Sequence, residues 1–216
     1  MQHTDSKAGL VKVLLIVFFS VGVAGTALDF SRDIFIRLTP LALLLCLSAL
    51  LAFHRSDAPG KDLLIFGTIL IAGFLVETAG VNSGKIFGNY AYGEGLGLKI
   101  FNTPLLIGVN WVVLTYSTAI IVEKLSVPRV LRIPAASALM VLYDLIMEQV
   151  APVMRMWSFE NGIPAQNYIM WFVIAAIFHT VIHIAGLRFS NRIAPFIFLI
   201  QGIFFLILYL FFKFTS

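Results

Sequence analysis

The chain has 216 residues, of which 60% are hydrophobic and only 12% charged. A water-soluble domain carries roughly a quarter of its residues as charges, so this composition excludes one and makes lipid the surrounding solvent. The formal charge of +4 arises from basic residues scattered in short loops, with no basic face of the kind that binds nucleic acid.

Apolar runs that meet or approach the length needed to cross a hydrocarbon layer about 30 Å thick occur at 10–28, 38–53, 63–80, 104–122, 131–150, 167–187 and 194–214. They predict an all-α integral membrane protein, a single transmembrane helical domain over 1–216 built as a bundle of about seven helices. The first run is too long for the apolar core of a signal peptide and reads as a retained membrane helix. The single cysteine, Cys46, lies in the second run, has no intramolecular disulfide partner, and reads as a small packing residue.

Basic residues in alternate connections set the orientation. One side carries nine: Lys7, Lys12, Arg55, Lys61, Lys124, Arg129, Arg132, Arg188 and Arg192. The other carries six: Arg32, Arg37, Lys85, Lys99, Arg155 and Lys213. This bias predicts a multi-pass protein of the cell membrane with its N-terminus in the cytoplasm. Asp29, Arg32, Asp33 and Arg37 have helical spacing and read as interfacial ion pairs.

Two connections on the less basic side are richer than hairpin loops require. Residues 81–103 contain Gly84, Gly88, Gly93, Gly95 and Gly97 among aromatics, which argues against a continuous helix. Residues 151–166 combine Trp157, Gly162 and Pro164. Irregular backbone near a membrane survives only where protein or water satisfies its polar groups. Both segments are therefore expected to fold over the bundle as Gly- and aromatic-rich caps.

Carboxylates inside apolar helices are the most informative residues. Glu77 lies near the end of the third run, and Asp144 and Glu148 lie in the fifth. A carboxylate at mid-membrane costs on the order of 3 kcal/mol, and such groups usually face a cavity and mark function. Asp144 and Glu148 are four residues apart and share a helix face. Two acids in a low dielectric cannot both ionise cheaply, so the pair offers a proton donor beside a proton acceptor. The competing expectation puts them at a helix end within reach of interfacial water and Arg155.

His179 and His183 are also four apart, a spacing that can present two metal ligands. Multi-histidine metal sites need more than this chain's four histidines, and His3 and His54 read as polar flanks. The pair is therefore expected at a helix interface, with no metal. Trp111, Trp157, Trp171, Tyr90, Tyr92 and Tyr168 fit either an interfacial aromatic belt or the lining of a site within the two odd loops.

At this point two stretches resemble a known family. Residues 77–111, ETAGVNSGKIFGNYAYGEGLGLKIFNTPLLIGVNW, and 144–172, DLIMEQVAPVMRMWSFENGIPAQNYIMWF, are similar to the signatures of membrane carotenoid-biosynthesis proteins that include the carotenoid 1',2'-hydratases of the bisanhydrobacterioruberin hydratase type. The second stretch shows an acidic helix, a Trp, a Gly-x-Pro turn, then Asn and Trp-Phe. The resemblance implies addition of water across the terminal double bond of an acyclic carotenoid, giving a tertiary alcohol without metal, flavin or oxygen. Such chemistry needs a protonated acid, a base for water's proton, and π faces beside the cation. The expected roles are Asp144 as acid and Glu148 or Glu77 as base. Tyr90, Tyr92, Trp111 and Trp157 would line the cation pocket with Trp171 among the substrate contacts, while Asn110 and Asn167 would orient water.

Two other readings use the same residues. A cyclase or isomerase passes through the same cation but loses a proton, and a carotenoid-binding or transport protein would catalyse nothing. A retinal receptor is excluded, because the last helix offers only Lys213, at its end. The expected partners are a lipophilic carotenoid, water and the bilayer; no residue pattern identifies an oligomer face.

Overall fold

The computed structural model describes residues 2–215, with side chains from residue 6 onward, so the side chain of His3 lies outside the described residues. Each apolar run becomes a helix: α1 (Gln2–Ala27), α3 (Thr39–Ala52), α4 (Pro59–Ser83), α5 (Ile107–Lys124), α6 (Arg129–Met147), α7 (Ala165–Ile184) and α8 (Ala194–Thr215). Before α3 stands a short extra helix, α2 (Asp29–Arg37), which carries the charges read as interfacial pairs. Asp29 does pair with Arg32, at 2.6 Å. The α2–α3 pair bends by 49° at a break around Leu38.

Five helices, α1, α4, α6, α7 and α8, are long and apolar enough to cross a membrane, and α2–α3 makes a sixth if the bent pair is one span. The expected number was about seven. The difference lies in α5, whose residues from Ile107 to Thr118 are all buried and which packs against α3, α4, α6, α7 and α8. A helix sheathed by other helices can carry Asn110, Thr115, Ser117 and Thr118 because protein, not lipid, surrounds them. The outward faces of the other helices present Leu10, Val17, Leu63, Ile71, Ile177 and Leu199 to the exterior, as a lipid-facing surface requires.

Small residues let α4 and α5 approach closely, as in other membrane helix pairs. A Cβ on Gly108 would stand 2.4 Å from the backbone oxygen of Leu70, and one on Gly73 would stand 2.9 Å from the Trp111 side chain. Gly108→Val is therefore expected to force the helices apart, at about 1–3 kcal/mol. Thermal unfolding in detergent checks this; an unchanged midpoint would show that the contact tolerates bulk.

Short ribbons close both ends. At one end β1 (Arg55–Ser56) pairs with β6 (Phe189–Ser190). At the other, β2 (Tyr90–Tyr92) pairs antiparallel with β5 (Trp157–Phe159), with Tyr92 opposite Trp157. Between them in sequence, β3 (Lys99–Ile100) and β4 (Thr103–Pro104) form a hairpin whose two turn residues, Phe101 and Asn102, have φ of 52° and 63°. That left-handed pair matches the twist of a tight hairpin. The Asn82 side chain donates to the Phe101 carbonyl at 2.9 Å, fastening the hairpin to the end of α4.

Candidate active site

The two glycine- and aromatic-rich connections meet in the β2–β5 ribbon. Gly93 N–H donates to the Met156 carbonyl and Gly95 N–H to the Arg155 carbonyl. A Cβ on Gly95 would come within 2.2 Å of the Met154 oxygen, so this approach of backbone to backbone requires glycine. Alternate residues of a strand share a face, which turns Tyr90 and Tyr92 inward while Ala91 is exposed.

Both tyrosines reach the same carboxylate. Their hydroxyls donate to Glu77 Oε2 at 2.8 and 2.7 Å, and Trp111 Nε1 donates to Oε1 at 3.0 Å. Glu77 sits on α4 and is 3% exposed. Burial first and Glu77 second push both phenols above their usual range, so they stay protonated and act as donors.

A second set gathers on α6 and α7. Asn167, in the first turn of α7, donates from its amide nitrogen to Asp144 Oδ2 and to Glu148 Oε1, both at 3.0 Å. Trp157 Nε1, from β5, donates to Glu148 Oε2 at 2.8 Å. Asp144 is fully buried and Glu148 is 3% exposed. Among the oxygens of the three carboxylates, Asp144 Oδ1 alone has no partner among the described residues.

No cation neutralises this cluster among the described residues. Arg155 instead pairs at 2.8 Å with Asp33 on α2, out in the solvent-exposed cap, which overturns the expectation that it would serve the acids. The carboxylates are held by phenol, indole and amide donors alone. Glu77, Phe87, Tyr90, Tyr92, Ile107, Glu148, Trp157, Phe159, Asn167 and Trp171 enclose a nook of about 10 Å³, close to the minimum that admits one water.

Beside the nook lies a cavity of about 460 Å³ between α1, α3, α5, α6, α8 and the cap. Its walls are largely apolar, including Leu14, Phe19, Leu43, Ile107 and Phe204. Trp157 and Ile107 line both spaces. Tyr143 and Met147, which flank Asp144 on α6, also line the larger one.

Nearly every residue singled out in the sequence meets here: Glu77, Tyr90, Tyr92, Trp111, Asp144, Glu148, Trp157, Asn167 and Trp171. Trp111 stacks on Trp171 with centroids 4.3 Å apart, so these two indoles are core rather than belt. Asn110 lies apart from the carboxylates, on the wall of the larger cavity. The histidine pair divides, with His179 buried against the Thr118 hydroxyl at 3.2 Å and His183 exposed.

His54 is a correction. It reads as a polar flank, yet its Nδ1 lies 2.9 Å from the Tyr116 hydroxyl and its Nε2 lies 3.1 Å from the buried Asp62. This cluster ties the loop after α3 to α4 and α5 at the end opposite the cap. Sequence reasoning missed it because Asp62 falls in the connection on a plain hydropathy reading, whereas α4 begins at Pro59, which favours the first turn of a helix.

No curated protein and no solved structure matches the chain. A family model described as carotenoid biosynthesis protein matches residues 38–214, which include all three carboxylates and every one of their hydrogen-bond donors. The chain belongs to the carotenoid biosynthesis protein family.

Proposed function

We propose that the protein is a carotenoid hydratase, a hydro-lyase acting on the terminal double bond of an acyclic carotenoid end group. The observation that carries this reading is the trio of buried carboxylates that meet no cation among the described residues, set beside an apolar cavity large enough for a branched hydrocarbon end. Asp144, whose Oδ1 has no partner among the described residues, is the acid. Its proton forms a C–H bond at the less substituted alkene carbon, using the π pair, and leaves a tertiary cation. Water's oxygen bonds to that cation, and the surplus proton passes to Glu148. Alkene plus water gives the tertiary alcohol, with no other reactant needed.

The remaining groups support that sequence of events. Glu77, an acceptor from three donors, fixes Tyr90, Tyr92 and Trp111 and adds negative charge near the developing cation. The faces of Tyr92 and Trp157, in edge contact at 6.0 Å, supply π density of the kind that stabilises cations. Asn167 holds Asp144 and Glu148 in register. The chain is read as a seven-span protein of the cell membrane, with the protein-sheathed α5 as the seventh span and the N-terminus in the cytoplasm.

Expression in a host that makes lycopene or another acyclic carotenoid tests the reading. Extracted pigment is expected to gain one water for each acyclic end that reacts. An unchanged mass with shifted retention would replace hydration with cyclisation or isomerisation. Unaltered pigment despite verified expression and several acyclic substrates would leave a binding or transport protein.

A further inference from the structure

The walls of the large cavity contain three polar atoms that hydrocarbon cannot satisfy. Thr39 Oγ1 at the start of α3, Asn110 Nδ2 in the first turn of α5 and Gln201 Oε1 on α8 are all buried and have no partner among the described residues. All three residues line the same cavity. Asn110 and Gln201 are 4% and 3% exposed. Buried polar atoms are ordinarily paired with protein or water, and three orphans around one largely apolar cavity suit an oxygen-bearing group.

Their chemistry specifies which group. An amide N–H donates, an amide carbonyl accepts, and a threonine hydroxyl does either. Together they suit a group that both gives and receives hydrogen bonds, which a water or an alcohol does and an unsubstituted polyene does not.

We propose that Thr39, Asn110 and Gln201 form the water-positioning site of the reaction, holding the oxygen first as water and then as the product's tertiary hydroxyl. The inference rests on the hydration reading and adds to it the residues that decide the fate of the cation. Gln201 accepts one hydrogen from water and Asn110 donates to one of its lone pairs, which leaves the other lone pair for the tertiary carbon and the second hydrogen to pass to Glu148 as the C–O bond forms. None of the three belongs to the carboxylate network, so protonation of the alkene does not depend on them. Without held water, the cation loses a proton from an adjacent carbon and returns to an alkene.

Reaction in D2O separates the two steps. A deuteron delivered to the alkene and followed by water capture appears in the alcohol; one followed by proton loss appears in recovered alkene. Gln201→Met and Thr39→Val, both close in volume to the native residues, are expected to lower alcohol formation about tenfold each. Deuterium in recovered alkene should hold steady or rise, with both species measured by mass spectrometry. If alcohol and deuterated alkene fall in step in both variants, the residues serve folding and the inference is overturned. Unchanged alcohol in both variants overturns it as well. A wild-type protein that yields neither alcohol nor deuterated alkene overturns the hydration reading itself and this inference with it, an outcome distinguishable from either of the others.

Discussion

Asp144→Asn is expected to remove hydrated product by about a hundredfold or more, the range lost when a positioned general acid is deleted, while the chain still folds. The substitution keeps the shape of the side chain. Its carbonyl oxygen can still accept from the Asn167 amide, as Asp144 Oδ2 does at 3.0 Å. What disappears is the transferable proton on Oδ1, the oxygen of this cluster without a partner among the described residues. Product per unit of membrane protein, compared with the wild type in the same pigment-producing host, is the measurement. Activity within threefold of wild type, with normal expression, would pass the role of acid to Glu148. Glu148→Gln in parallel tells acid from base, because loss of the base alone leaves alkene protonation intact and deuterium still enters recovered substrate.

Glu77→Leu should have the largest effect on stability. The carboxylate accepts from Tyr90, Tyr92 and Trp111, and leucine would strand all three donors in a dry interior. Each stranded donor costs about 1–3 kcal/mol, enough in sum to unfold the cap or prevent the protein from accumulating. Glu77→Gln retains an acceptor oxygen and should be far milder. Unfolding midpoints in detergent for the two variants check this, and equal midpoints would show that the carboxylate does not hold the β2–β5 ribbon in place. The contrast also separates a supporting role from a chemical one. A stable Glu77→Gln protein with little product would place Glu77 in the reaction, as the base in Glu148's stead.

The helices were legible because lipid imposes long apolar runs, and each run did become a helix. What hydropathy could not rank is α5, where burial within protein relaxes the demand for apolar residues. The bend at Leu38 was also hidden, since Thr39–Pro40 continues an apolar stretch while Asp29–Arg37 looks merely interfacial. At the site, Asp144 and Glu148 announced themselves as acids four apart, and the glycines marked a place where backbone meets backbone. Their partners could not be read so directly. Nothing in the order of residues says that Asn167 bridges the two acids or that Arg155 turns away to Asp33. Gln201 was concealed more thoroughly, as a lone amide within FIFLIQGIFFL. An intramembrane amide with no neighbour to pair with was the signal available there, and it was overlooked beside the charged groups.

The hydrogen-bond network has a direction along the chain. Glu77 is synthesised before Tyr90, Tyr92 and Trp111, which follow it by 13, 15 and 34 residues. Asp144 and Glu148 precede Asn167 by 23 and 19 residues, and Glu148 precedes Trp157 by 9. Every acid thus leaves the ribosome ahead of the groups that satisfy it. Newly made α4 and α6 must enter the bilayer carrying carboxyl groups that lack their final donors, and protonation is the cheapest state in which they can wait. Biogenesis therefore poses its own demand on these helices, separate from catalysis: the flanking apolar residues must be sufficient to insert each acid before the cap that will hold it has been made.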